Sequence, residues 1–309
     1  MARTKSLPGI SDPKLLAAYS RALCFLRRKY VTGVSVGIAF RGGIRNGTGI
    51  CVHVVEKRAK RDLPKRSTLP RSIGGVRVDV IECSHAAHLM SDAEIDARRV
   101  TPAAPVPPGV AISATAAERG TFGMVVVDTT APNRGRCILT AAHVLTVPTG
   151  SDVFQPSPAA SGGKIGRVVR GLRTPTCDAA IVSVGARVVT NLPMGSGRSI
   201  RGIRAVQKGD ILAKSGCMTG LTRAEVSHVG KFEIRFSDGP RNMEGFQLMP
   251  IAGGPQMMSM KGDSGAIWYD ERTGLAVGLN IAGNSLDLLP WAFASHLTSV
   301  FSELKIDVA

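Results

Sequence analysis

The chain has 309 residues, 44% apolar and 20% charged, with a formal charge of +16 at pH 7, the profile of a soluble globular protein with room for one large domain or two to three smaller ones. No apolar run approaches the roughly 18 residues of a membrane span, and Lys14, Arg21 and Arg27-Arg28-Lys29 interrupt the segment where a secretory signal would lie. With 35 Gly and 18 Pro, the composition favours a turn-rich, strand-rich architecture over a helical bundle.

Ser11-Asp12-Pro13 reads as a helix start, and Leu15, Tyr19, Leu23, Leu26 and Tyr30 then recur on one helical face. Strand-like segments follow at Val34 to Phe40, Gly49 to Val55 and Val76 to Ile81, with turn signals at Gly42-Gly43 and Asn46-Gly47. Residues 1–82 therefore read as a small α+β domain. It holds 17 Lys/Arg against 5 Asp/Glu, densest in Lys57-Arg58, Lys60-Arg61, Lys65-Arg66 and Arg71. Such a block could attract nucleic acid or an acidic protein partner. A solvated loop is the favoured reading, because no aromatic residue for base stacking occurs between Phe40 and Phe122.

Residues 83–108 turn Ala- and Pro-rich and end in Thr101 to Gly109, the composition of a semi-extended linker, with a short helix expected over Asp92 to Arg99. Within it, Cys83, His85 and His88 could bind metal, but a closed zinc site wants four ligands and no fourth lies nearby. No metal or cofactor is expected. The six cysteines, Cys24, Cys51, Cys83, Cys137, Cys177 and Cys217, lack any Cys-x-x-Cys pair and read as buried hydrophobes in a reducing cytoplasm.

Residues 109–309 carry short strands between Gly, Pro, Asn and Asp turns: Gly123 to Val127, Cys137 to Thr140, Lys164 to Val169, Ala179 to Val184, Asp210 to Lys214, Lys231 to Phe236, Ala266 to Tyr269 and Leu275 to Ile281. That density predicts a mainly β fold of barrels. Trp291 to Leu304 shows helical spacing, so the chain is expected to close with a helix.

Three segments carry candidate chemistry. Lys261-Gly262-Asp263-Ser264-Gly265 sets a serine between glycines in a tight turn before a strand, which suits an exposed nucleophile with free backbone N–H groups. Thr140-Ala141-Ala142-His143 ends a strand on a histidine behind two small residues. Asp178 heads the apolar strand Ala179 to Val182, where a carboxylate is costly unless paired, and the Nδ1–H of His143 would pair it. Asp152 and Asp210 are rivals in turn-like settings.

In the order His143, Asp178, Ser264, with Thr-Ala-Ala-His and Gly-Asp-Ser-Gly about 120 residues apart, the chain resembles the trypsin/chymotrypsin-like serine peptidases over residues 109–309. The resemblance implies two six-stranded β-barrels with the triad between them and a C-terminal helix. It also implies a serine endopeptidase of protein substrates, with Gly262 and Ser264 supplying the oxyanion hole. Narrower matches point to intracellular bacterial trypsin-like peptidases and plant narrow-leaf-type relatives. They are Pro108 to Ile112 with Gly120 to Gly123, Lys214 to Thr222, and an N-terminal pattern through Cys51 to Lys57, Leu69-Pro70 and Gly75 to Glu82.

Alignment on Ser264 puts Met258 and Ser259 near the specificity-pocket base and Ile281, Ala282 and Gly283 along a wall, an apolar pocket without an acid, although Met258 could equally fill core. Secreted relatives anchor the aspartate before the nucleophile on a freed N-terminal amine. Nothing before Phe122 resembles that cleavage site, so Asp263 needs another partner, or the loop stays incomplete until something binds. A catalytically silent scaffold and a nucleic-acid-binding protein are the alternative functions.

Overall fold

The computed structural model describes residues 7–41, 44–58, 62–64, 67–83, 85–87, 99, 101, 103–131, 135–159, 163–251, 257–284 and 291–309. Asp12 caps α1 (Pro13–Ala22), accepting the Lys14 and Leu15 N–H groups at 2.8 and 3.4 Å, and a 3-10 turn over Leu23–Arg27 continues it. Tyr30 falls beyond that turn and is exposed.

Strands β1 (Val31–Arg41) and β2 (Ile44–Val54) form an antiparallel pair. β3 (Ser72–Ile73) and β4 (Val76–Glu82) complete the N-terminal unit, β4 running parallel to β2, and β5 (His85–Ala87) follows it. The expected helix over Asp92 to Arg99 lies outside the described residues except for Arg99 itself.

The next unit contains β6 (Ala111–Ile112), β7 (Gly120–Thr121), β8 (Met124–Asp128), β9 (Arg136–Thr140), β10 (Asp152–Phe154), β11 (Lys164–Arg173) and β12 (Asp178–Ser183). The last comprises β13 (Gly202–Ile203), β14 (Ile211–Gly216), β15 (Gly220–Phe236), β16 (Gly239–Pro250), β17 (Ile267–Asp270), β18 (Leu275–Asn284), β19 (Ala292–His296), α2 (Leu297–Leu304) and β20 (Ile306–Val308).

Among the described residues, β10-β11-β12-β9-β8-β20 form one six-stranded sheet. In the last unit β14-β17-β18-β19-β16-β15 close on themselves, because β14 also pairs with β15. The C-terminal expectation needs correcting on two points. Ala292–His296 is strand, with the helix confined to Leu297–Leu304, and the chain ends on β20, which pairs with β8. Every residue of β19 is buried, polar Ser295 and His296 included, so the segment carries no strand-like alternation to set against the helical spacing of Trp291, Ala294 and Leu297.

β15 is 17 residues long and serves two units at once. β14 and β16 flank it within the barrel, while β1 pairs with it from Gly33↔Phe232 to Gly37↔His228. One apolar core accordingly runs from Tyr19, Phe25, Val34 and Val52 of the N-terminal unit to Val226, Phe246 and Trp268 of the barrel.

Candidate active site

β9 and β12 are neighbours in register Thr140↔Ala180, which sets the turn following β9 beside the first residue of β12. That turn, Ala142–Val144, carries His143, and Asp178 opens β12. The Asp178 carboxylate accepts His143 Nδ1–H at 2.5 Å through Oδ2 and the His143 backbone N–H at 3.1 Å through Oδ1. Both residues are buried; the Nδ1–H bond to the carboxylate sets the imidazole tautomer with Nε2 as the free nitrogen, and the backbone bond holds the carboxylate against the turn. Nε2 has no partner among the described residues. Arg173 Nε stands 3.5 Å from Asp178 Oδ1, and the Arg173 guanidinium covers Phe236, whose ring packs 5.4 Å from that of His143.

The serine loop is held from three directions. Thr121 donates Oγ1–H to the Gly262 carbonyl and N–H to the Ser264 carbonyl, both at 2.8 Å. Thr140 Oγ1 donates in turn to Thr121 O, tying the loop to the strand that ends near His143. Asn280 accepts Gly265 N–H on its backbone carbonyl and donates Nδ2–H to Asp263 O at 3.2 Å. Gly265 has φ +96°, and a Cβ there would lie 2.3 Å from Thr140 Oγ1 and 2.4 Å from Thr121 O, so both backbone and packing demand glycine. Gly262 and Ser264 N–H have no acceptor among the described residues. Ser264 Oγ donates to Ile281 O at 3.0 Å rather than to His143.

Asp263 finds its partner inside the fold. Lys214 Nζ lies 3.1 Å from Asp263 Oδ2, with both side chains at 0% exposure. The carboxylate also accepts Thr219 Oγ1 at 2.6 Å and the N–H groups of Met218, Met260 and Thr219 at 2.9, 3.0 and 3.3 Å. Burial by itself raises the Asp263 carboxyl, but the Lys214 charge and these donors outweigh it and hold the group below the usual carboxylate range. Burial also pushes Lys214 down, more than Asp263 restores. Gly216 leaves the room this pair needs, since a Cβ there would fall 2.1 Å from Asp263 Oδ1. The turn from Lys214 to Thr222 was legible as a motif, whereas the anchoring role of Lys214 was not. Its one signal is a lysine directly after the strand residues Ile211-Leu212-Ala213.

Of the expected pocket residues, Met258 is 1% exposed and packs in the core with Trp268 and Val277. Ser259 is bonded to Asn280, and Ile281, Ala282 and Gly283 run along β18. Asp152 is a half-buried partner of Lys164 and Arg167, and Asp210 bonds Arg204, so both rivals are engaged elsewhere than at His143. Cys83 is buried and its thiol is pushed up to about 12 by burial, while His88 lies outside the described residues. No metal-binding cluster occurs among the described residues. In the basic block Arg58 pairs with Glu56, and Lys60, Arg61, Lys65 and Arg66 lie outside the described residues. No helix among the described residues is long and apolar enough to cross a membrane.

The sequence matches no protein-family profile and no curated protein. The fold is chymotrypsin-like. Thermobifida fusca Protease A is similar at a TM-score of 0.51 and 19% identity, over 67% of this chain and 99% of its own. Nocardiopsis Protease gives 0.51 and 18%, over 66% and 98%. A glutamic acid specific serine protease gives 0.52 and 21%, over 66% of this chain and 100% of its own. At such identities the likeness establishes the fold, and about a third of this chain lies outside each match.

Proposed function

We propose that the chain is a serine endopeptidase of protein or peptide substrates. The observation that carries this reading is the buried Asp178–His143 pair with a free Nε2, set beside a loop whose Ser264 is flanked by unengaged N–H groups. Rotation of the Ser264 hydroxyl from Ile281 O to His143 Nε2 starts the reaction. Oγ attacks the scissile carbonyl as its proton passes to Nε2, and the N–H groups of Gly262 and Ser264 stabilise the oxyanion. His143 then protonates the leaving amine, giving an acyl-enzyme that water hydrolyses by the same route. Ser259, Ile281, Ala282 and Gly283 offer no acid to a basic side chain, which favours an apolar residue before the cut. Five of the six cysteines are buried as small apolar side chains, which supports a reducing compartment such as the cytoplasm.

Labelling with a fluorophosphonate tests the reading. Wild type should react at Ser264 and Ser264→Ala should not, while Asp178→Asn should slow turnover by about 10⁴. Equal labelling of wild type and Ser264→Ala, or none of either, refutes it.

A further inference from the structure

The strand β18 has a grip on the nucleophile loop through Asn280 and Ile281, and the next residues along it are already covered. β5 pairs antiparallel with β18 in the register Ala282↔Ala87, Gly283↔Ala86, Asn284↔His85. The opposite edge of β18 is taken by β19, through Ala282↔Phe293 and Gly283↔Ala292. An extended peptide can join a sheet by strand addition only where a main-chain edge is open. At Ala282 and Gly283, just past Ile281, whose carbonyl holds the Ser264 hydroxyl, both edges are therefore in use.

The other flank of β5 is β15, in the parallel register Ile234↔His85, Arg235↔Ala86. The residue after Arg235 is Phe236, the ring that packs on His143. β5 thus fills the slot between the wall that touches the base and the wall that touches the nucleophile. Just upstream it is anchored, because Cys83 N–H donates to Val54 O at 2.9 Å and Thr32 Oγ1 donates to Cys83 O at 2.6 Å. Downstream, Arg99 is buried and donates to Gly109 O, Ser215 Oγ and Gly216 O at 2.9 to 3.0 Å. A segment fixed on both sides competes at a high effective concentration with any peptide from solution.

We propose that β5 is an intramolecular occupant of the edge that receives the substrate main chain, so that the enzyme as folded is latent and is activated by displacing this strand. The proposal rests on the endopeptidase reading. It makes the N-terminal unit a restraint acting through three linker residues rather than through the triad.

Ala86 faces both neighbours, so Ala86→Pro removes its N–H and disfavours pairing on either side. The full chain and this variant are compared for labelling of Ser264 by a small fluorophosphonate and for hydrolysis of peptides extending four residues before the cut. Ala86→Pro should raise kcat/KM for the long peptides at least about tenfold, meaning that one molecule in ten or fewer is open in wild type. Labelling by the small probe should change far less. Equal peptide hydrolysis by two chains that both label overturns latency and leaves the peptidase reading intact; absence of labelling from both overturns both. A second measurement needs no folded proline variant: in the Ser264→Ala chain, the amides of Ala282 and Gly283, flanked by β5 and β19, and of Asn284, flanked by β5, should be protected from hydrogen exchange. Free exchange there overturns the proposal.

Discussion

Replacing Lys214 by Met keeps an unbranched chain of similar length and removes the charge that faces Asp263. Both groups have 0% exposure, so no water reaches the carboxylate left behind. Breaking a buried pair from one side costs about 3–5 kcal/mol. The loss has a ceiling, because Asp263 can take up a proton: from a reference pKa near 3.9, that costs about 4 kcal/mol at pH 7 and about 1.5 kcal/mol at pH 5. In the parent, Asp263 is held below its ordinary value, so its contribution is fully present above about pH 4 and is lost only as pH falls through the lowered value. Between pH 7 and 5 the parent is therefore constant on this account. In Lys214→Met the folded carboxyl is raised, and its deficit shrinks as pH falls. Urea unfolding should show the variant about 3–4 kcal/mol less stable at pH 7 and under about 2 at pH 5. Adding Asp263→Asn should recover most of the difference at pH 7, since it removes the stranded charge. A deficit below about 1 kcal/mol at pH 7, or one equal at both pH values, would refute the view that Lys214 neutralises this loop.

Gly265→Ala places a Cβ against Thr121 O and forces a positive φ on a residue with a side chain. It should cost more than about 2 kcal/mol in melting experiments and abolish fluorophosphonate labelling. His296 is held down to about 4 by burial, so the unfolded chain gains a proton below about pH 6.5 that the folded chain refuses. Its own contribution should lower stability by up to about 3 kcal/mol between pH 6.5 and 4, and the difference between wild type and His296→Gln should grow over that range and stay constant below it. Deleting the N-terminal unit is not a clean probe of restraint, because it bares β15 and opens the shared core. Such truncation should lower solubility and the unfolding midpoint even if it frees the cleft, which the Ala86→Pro variant avoids.

What lay open in the primary sequence is the part governed by local chemistry. The Asp12 cap, the strand expected over Val76 to Ile81, and the apolar strands around two small-residue turns are short-range patterns that the fold obeys. The pairing of His143 with Asp178 was readable because a carboxylate at the head of an apolar strand requires a partner. Other features depend on distance in the chain. Lys214 and Asp263 are 49 residues apart, and a buried lysine reads in sequence like any strand-end cation until the barrel closes over it. The length of β15 was hidden because Arg223 and Glu225 alternate with buried Thr222, Ala224 and Val226, so half its face looks like loop. The serine loop itself was evident from the residues around Ser264. What holds it in place, and which strand lies along its neighbour β18, was decided only by tertiary structure, because backbone pairing and burial of charge are set by segments far apart in sequence.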